Sequence, residues 1–327
     1  MNDRFRLFDL GEGAAFGRQL AGALGVALAE HEYRAFDAGE HKTRALAAVR
    51  ECDVYVFDNL YGDAHFSAND KLCRLLFFAG ALKDAAARRV TVVVPYLPYS
   101  RKDRKSQPRD PVTTRYVAAM FEAVGVDRVV TLDVHNPAAF QNAFRCRTEH
   151  LEARGMLARH LATLVGAGAV AVVSPDAGGM KRAQRLRDRL AAQIGRPVAM
   201  AIVEKSRALG VVSGDALAGD VRGATAIIVD DMIATGGTIA RAARACRREG
   251  AARVLAVATH GLFADGANEA LAEPAIDAIV VCDAVSRIDA LHGAVRARTT
   301  VLPTAPLLAE AIRRIHEGGS LVALLDD

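Results

Sequence analysis

At 327 residues, with 51% hydrophobic and 24% charged positions, the chain is long enough for two α/β domains or one large one. That composition excludes a disordered chain, and a net charge of +4, with Lys and Arg interspersed among Asp and Glu, suggests no nucleic-acid partner and fits an anionic small molecule as well. The opening MNDRFRLFDLGEG has no apolar core of a signal peptide, and no apolar run approaches a membrane span. Cys52, Cys73, Cys146, Cys246 and Cys282 are scattered and never in C-x-x-C spacing, so they are expected to be small core residues in a reducing cytoplasm.

In chain order, buried strands are predicted at Val54–Phe57, Val90–Val94, Val129–Leu132, Ala169–Val173, Val198–Ile202, Ala226–Val229, Val254–Thr259 and Ala278–Cys282. Helical spacing falls between them: Leu72, Leu75, Leu76 and Ala79 share one face, as do Val117, Met120, Phe121 and Val124, and Leu157, Leu161 and Leu164 mark another helix. Short β-branched runs alternating with amphipathic helices predict parallel sheets flanked by helices, an α/β fold. RVVTLDVH (Arg128–His135) and AIIVDDMI (Ala226–Ile233) are similar strands ending in acidic turns, so two related domains are expected, over 1–149 and 150–302. Residues 303–327 add a final helix through Leu307, Leu308, Ile312 and Ile315, whose packing partner the sequence leaves open.

In open α/β sheets ligands bind beyond the carboxyl ends of the strands, and the chemically suggestive stretches all sit there. After Val90–Val94, Pro95 and Pro98 stop the ladder and Arg101, Lys102, Asp103, Arg104 and Lys105 follow, a set that suits a polyphosphate or equally a solvated basic loop. Asp133 and His135, two residues apart, can address one site, where His135 would ligate a metal or touch a nucleotide phosphate; a His satisfied by a neighbouring carbonyl is the plainer alternative. Ser174–Gly179 opens a helix containing Lys181 and Arg182, with Asp176 either a metal ligand or a helix cap. Lys205 and Arg207 precede ALGVVSGDALAGD, which reads either as a mobile loop closing over substrate, where two cations could neutralise charge on a transferring phosphoryl group, or as an exposed hairpin with surface charges; the segment alone does not decide.

The most informative stretch runs from Ala226 to Ala251. A buried strand ends in Asp230 and Asp231, then Ala234-Thr235-Gly236-Gly237-Thr238 leads into a helix with Ile239, Ala242, Ala243 and Cys246 on one face. Glycines let backbone N–H groups approach a phosphate, hydroxyls add donors, and the helix N-terminus favours negative charge. Two carboxylates beside such a cradle suit ribose hydroxyls or a hard cation such as Mg²⁺. There is no Walker loop, since no Gly-Lys-Ser/Thr follows, and no spaced dinucleotide fingerprint.

The ordered set FDAGE, PYLPYSRKDRK, VTLDVH, SPDAGGMKRA, EKSR, VDDMIATGGT and ATHGLF, between Phe36 and Asp283, resembles the ribose-phosphate diphosphokinase family. The resemblance implies two phosphoribosyltransferase-like domains and transfer of the β,γ-diphosphoryl group of Mg-ATP to the anomeric hydroxyl of ribose 5-phosphate. It implies Lys205 and Arg207 as catalytic residues, with Arg207 also contacting the sugar phosphate beside Asp230, Asp231, Ala234, Thr235, Gly236, Gly237 and Thr238. It implies an ATP site at Phe36, Ala38, Gly39, Glu40, Arg101, Lys102, Asp103 and His135, and metal ligands at His135, Asp176 and Asp133. The Phe36–Glu40 loop would reach ATP from a neighbouring subunit, implying a homo-oligomer, a hexamer or dimer-based. The chain departs from the family's usual pattern at Ala38, Lys102 and Ala234, where Asp, Gln and Asp are common. The alternatives to an active synthase are a non-catalytic regulatory paralogue or, against the doubled α/β body, a phosphoribosyltransferase.

Overall fold

The structure, a computed structural model, describes residues 4–11, 15–208, 211–285 and 287–326, with backbone alone at 205–208, 211–215 and 325–326. The chain divides into two compact units, one formed by the residues up to Glu152 together with those from Thr304 onward, the other by Ala153–Pro303. Among the described residues no helix is long and apolar enough to cross a membrane.

The first unit begins with β1 (Phe5–Asp9), α1 (Ala15–Leu24) and a hairpin of β2 (His31–Ala35) and β3 (His41–Ala45). It continues as β4 (Asp53–Phe57), α2 (Ala68–Asp84), β5 (Arg89–Val93), α3 (Thr113–Ala123), β6 (Arg128–Leu132), α4 (Pro137–Ala143) and β7 (Arg147–Leu151). Its main sheet is all parallel, in the order β1-β4-β5-β6-β7, and the hairpin is a separate two-stranded sheet. Runs such as Val54–Phe57 and Val90–Val93 are buried on both faces, which is why they read as continuous apolar sequence. Leu72, Leu75, Leu76 and Ala79 of α2 pack into that core, whereas Met120, expected on the buried face of α3, is exposed.

The second unit runs α5 (Arg154–Leu164), β8 (Val170–Ser174), α6 (Met180–Ile194), β9 (Ala199–Ala208), β10 (Val211–Ala218), β11 (Thr225–Ile233), α7 (Gly237–Arg248), β12 (Arg253–Gly261), α8 (Ala267–Leu271), β13 (Ala278–Cys282), α9 (Gly293–Ala297) and β14 (Thr299–Leu302). Its sheet order is β10-β9-β8-β11-β12-β13-β14, parallel except for β10 at the edge. After β8 the chain turns to β9 on one side and then crosses to β11 on the other. The order therefore reverses between β8 and β11, and a crevice opens at their carboxyl ends. The first unit's sheet follows chain order without such a reversal. The α/β class and the mainly parallel sheets agree with the sequence. Of the two readings of the segment after Arg207 the hairpin holds: β10 pairs antiparallel with β9, register shifting between Val212 and Asp215.

The last helices, α10 (Ala305–Glu317) and α11 (Leu321–Asp326), belong to the first unit, where α10 packs on α1. Leu308, Ile312 and Ile315 are buried there, and His316 Nδ1 lies 2.7 Å from Asp53 Oδ2, which Arg89 also engages. Burial pushes the Asp53 carboxyl up, but the hydrogen bonds from Arg89 and His316 outweigh it and hold the group below its ordinary range.

At the end of β1, Asp9 is buried against α1. A Cβ on Gly17 would stand 1.9 Å from Asp9 Oδ2, so only glycine fits that helix position. Burial, with the Asp58 charge nearby, pushes the Asp9 carboxyl up to about 6 despite a 2.8 Å hydrogen bond from the Gly11 N–H. Between the ordinary 3.8 and about 6 the folded state keeps a proton that the unfolded chain has lost, so this group makes stability fall as pH rises. Asp9→Asn keeps an acceptor for Gly11 and removes the charge. The variant is expected to match wild type near pH 4 and to gain up to about 3 kcal/mol by pH 7. Thermal unfolding of both proteins across that range measures it; a constant difference would show that Asp9 does not titrate in this way.

Candidate active site

The most developed site lies in the second unit, at the crevice between β8 and β11. β8 pairs with β11 only from Thr225 to Ile228, whereas β11 continues beside β12 to Ile233. Asp230 and Asp231 thus stand inside an extended strand, not in the turn expected from sequence, because pairing of Asp230 with Ala258 and of Met232 with His260 carries the ladder past them. They sit on the stretch of β11 that β8 no longer flanks, near the turn that follows β8. Asp230 is half-buried and Asp231 buried, and the Asp231 N–H donates to Asp230 Oδ1 at 2.8 Å. Arg182 reaches both carboxylates, with Nη1 3.3 Å from Asp230 Oδ1 and 3.5 Å from Asp231 Oδ1. Burial, and after it the hydrogen bond and charge of Asp231, push the Asp230 carboxyl up to about 8, while Arg182 pulls it down.

The loop from Ala234 to Thr238 follows directly. Gly236 has φ +76 and precedes the first residue of α7, and a Cβ there would press on Leu271 at 3.0 Å, so both backbone and packing demand glycine. The Ala264 N–H donates to the Ala234 carbonyl at 3.0 Å and fixes the other end. No side chain caps α7 and no acid stands in its first turn, while Arg247 and Arg248 occupy its last. The first N–H groups of a helix have no intrahelical partner, so those of Gly237, Thr238 and Ile239 are oriented for an anion, with exposed Thr235 beside them. Ile239, Ala242, Ala243 and Cys246 are buried and hold the helix against the sheet.

Asp176 follows β8 and is exposed. Its Oδ1 accepts from the Gly179 N–H at 3.1 Å, the capping role that sequence offered as an alternative to metal ligation. A Cβ on Gly179 would come 2.8 Å from Ser174 Oγ, so the turn is tight as well as capped. The side chains of Lys205 and Arg207 lie outside the described residues; their backbone belongs to β9.

In the first unit the basic loop and the Asp133–His135 turn leave the neighbouring strands β5 and β6. Asn136 ties them together, donating from Nδ2 to Asp103 Oδ2 at 2.6 Å while its Oδ1 caps α4 through the Ala139 N–H. Asp133 takes φ +42, a strained value for a non-glycine residue, with its N–H bonded to the Leu151 carbonyl at 2.8 Å. Arg101, Lys102 and His135 are exposed. Phe36, Ala38, Gly39 and Glu40 form the exposed tip of the β2–β3 hairpin, where Ala38 itself has φ 63.

The hairpin rests on a charged cluster that sequence reading missed. Asp58, just after β4, is wholly buried and accepts from Arg74 Nη2 of α2 at 3.0 Å. The Arg74 guanidinium lies 5.8 Å from the Tyr33 ring of the hairpin and 5.2 Å from the Phe66 ring. Lys71, one turn earlier, is buried over the Tyr61 ring and pairs with Asp63. Charged residues at the core-facing spacing of α2 were the available signal.

Among the described residues no group of three or more His, Cys, Asp or Glu side chains stands together as a metal cage.

Two family descriptions match the chain: the N-terminal domain of ribose phosphate pyrophosphokinase over residues 5–125, and the phosphoribosyl synthetase-associated domain over 214–326. A ribose-phosphate pyrophosphokinase of Bacillus cereus is 34% identical, the alignment covering 100% of this chain and 98% of the relative. The corresponding protein of Aquifex aeolicus is 36% identical, covering 94% of each. The crystal structure of phosphoribosylpyrophosphate synthetase from Mycobacterium smegmatis superposes with a TM-score of 0.86 at 33% identity, covering 97% of this chain and 100% of that one. Likeness at this identity, carried from end to end in both sequence and fold, leaves one assignment: the chain belongs to the ribose-phosphate pyrophosphokinase family.

Proposed function

We propose that the chain transfers the β,γ-diphosphoryl group of ATP to the anomeric hydroxyl of ribose 5-phosphate, giving phosphoribosyl pyrophosphate and AMP. The observation that carries this reading is the uncapped start of α7 beside the Asp230–Asp231 pair, at the strand reversal of a chain similar throughout to named pyrophosphokinases. The amides of Gly237, Thr238 and Ile239, with Thr235 and Thr238, bind the 5-phosphate, and Asp230 and Asp231 accept from ribose hydroxyls. Arg101 and Lys102, supported by Asp103, receive the triphosphate from one edge of the first unit. In the transfer, the anomeric oxygen bonds to the β-phosphorus as the bond to the α-phosphate oxygen breaks. Lys205 and Arg207 supply positive charge to the phosphoryl oxygens in passage.

Asp133 and His135 in the first unit would offer ligands to Mg²⁺, which when bound neutralises phosphate charge, and Asp176 in the second unit would offer another. The hairpin tip, Phe36 to Glu40, is exposed as a loop serving a neighbouring subunit's ATP would need, which supports a homo-oligomer; the cytoplasm would be its place of work.

The test is AMP formation from ATP and ribose 5-phosphate with and without Mg²⁺. Stoichiometric AMP and phosphoribosyl pyrophosphate, dependent on the cation, are expected. Folded protein that makes no AMP sinks the synthase reading and favours the regulatory paralogue. Phosphoribosyl transfer to a nucleobase without ATP would favour the transferase instead.

A further inference from the structure

Asp230 and Asp231 are adjacent along a strand, where successive side chains ordinarily point to opposite faces. Here both carboxylates converge on one guanidinium nitrogen, Arg182 Nη1, at 3.3 and 3.5 Å. Arg182 comes from α6, 48 residues earlier, and reaches the pair from the far side of the β8–β11 crevice. Its location runs against local electrostatics. It is the third residue of α6, and Lys181 precedes it, with no acid in that first turn to offset the cations. Cations at a helix N-terminus oppose the macrodipole, so the helix gains nothing from this arginine. The bond is also not an exposed pair of negligible consequence, since the arginine side chain is 22% exposed and that of Asp231 only 3%.

We propose that Arg182 is a positioning residue for the sugar, locking Asp230 and Asp231 into one acceptor site for two neighbouring hydroxyls. The inference rests on the ribose 5-phosphate reading of this loop. With Arg182 in place each carboxyl group keeps a fixed orientation, and the guanidinium offsets negative charge on the pair. A diol can then donate to both without prior rearrangement, which lowers the ordering cost of binding. Without Arg182 nothing ties the two groups to one another, and their repulsion drives them apart or holds a proton still more firmly on one of them. Both outcomes weaken hydroxyl binding and leave the ATP side untouched.

The experiment compares wild type, Arg182→Met and Arg182→Lys by calorimetric binding of ribose 5-phosphate and by steady-state kinetics, with thermal unfolding to confirm folding. Arg182→Met is expected to weaken ribose 5-phosphate binding and raise its KM about tenfold or more, the loss typical of one charged hydrogen bond. KM for ATP and kcat at saturation are expected to stay within about twofold, as for a residue that acts on binding alone. Arg182→Lys, which keeps the charge but not the planar fork, should recover part of the affinity, and it carries the test if the Met variant does not fold. Unchanged affinity in a folded Met variant overturns the proposal, as does a fall in kcat with KM unmoved, or a Lys variant no better than Met. A wild-type protein that binds no ribose 5-phosphate fails differently: it overturns the functional reading itself and this inference with it.

Discussion

Lys205→Ala protein is expected to unfold at the wild-type temperature yet form AMP on the order of a thousandfold more slowly. Diphosphoryl transfer leaves little covalent work for the protein, so most of the acceleration comes from charges fixed where the phosphoryl oxygens and leaving AMP carry theirs. On the proposed reading Lys205 and Arg207 are the cations that the EKSR motif contributes to this task. The backbone places them near the end of β9, paired with β10 at the sheet edge: Lys205 opposite Asp215, Arg207 opposite Val212. An edge hairpin bears little of the core, so truncating one of its side chains tests chemistry with little cost in stability. Arg207→Ala should reduce turnover and raise KM for ribose 5-phosphate together, because the family resemblance also gives it a sugar-phosphate contact. The readout is initial AMP formation at saturating substrates, with oligomer size and unfolding temperature measured on the same samples. A Lys205→Ala rate within tenfold of wild type would remove the lysine from the transition state.

The parts of this architecture legible in the sequence share a physical cause, as do the parts that were not. The eight strands recognised from apolar runs are β4, β5, β6, β8, β9, β11, β12 and β13, all interior to their sheets and most of them buried on both faces. Those missed in the main sheets, β1, β7, β10 and β14, are the four sheet edges. Edge strands have one neighbour and a wetter side, so RTEHL and TTVL carry no continuous hydrophobic signal. The hairpin strands HEYRA and HKTRA are largely exposed and equally silent. The same division holds at the site. The glycine cradle and carboxylate pair are contiguous and could be read directly, because local backbone chemistry dictates them. Arg182 meets that pair only through the crossing of α6 and β11, and Asp58–Arg74 only through the packing of α2. The first leaves no mark at neighbouring positions, and the second only the charged residues at the core-facing spacing of α2. The carboxylates' place within β11 was misread for a related reason: Asp is disfavoured in strands, and pairing to β12 overrides that preference.

Arg74→Met is expected to be the most damaging single change to the first unit, costing about 3–5 kcal/mol, because it strands a buried carboxylate. Asp58 is fully buried, and burial already raises its pKa even with Arg74, Lys71 and the Asn59 N–H acting in the other direction. Methionine fills much of the space but supplies no charge and no donor, so Asp58 must either stay ionised in an apolar site or take up a proton at neutral pH. The second course is the cheaper, and it fixes the sign of the pH dependence. With Asp58 raised still further above its unfolded value, the variant should be least impaired at low pH and lose stability as pH rises. Adding Asp58→Asn removes the stranded charge, so the double variant should be more stable than Arg74→Met alone at pH 7. The substitution also takes the cation away from Tyr33 and Phe66, part of what holds the β2–β3 hairpin on α2; the His41–Phe77 stack at 5.7 Å remains. If the hairpin tip serves ATP, the double variant should keep its stability gain and still show a raised KM for ATP, separating the ion pair's two roles. Equal unfolding temperatures for wild type and Arg74→Met at pH 7 would mean that Asp58 is already neutral in the native protein, and that Arg74 acts on the hairpin alone.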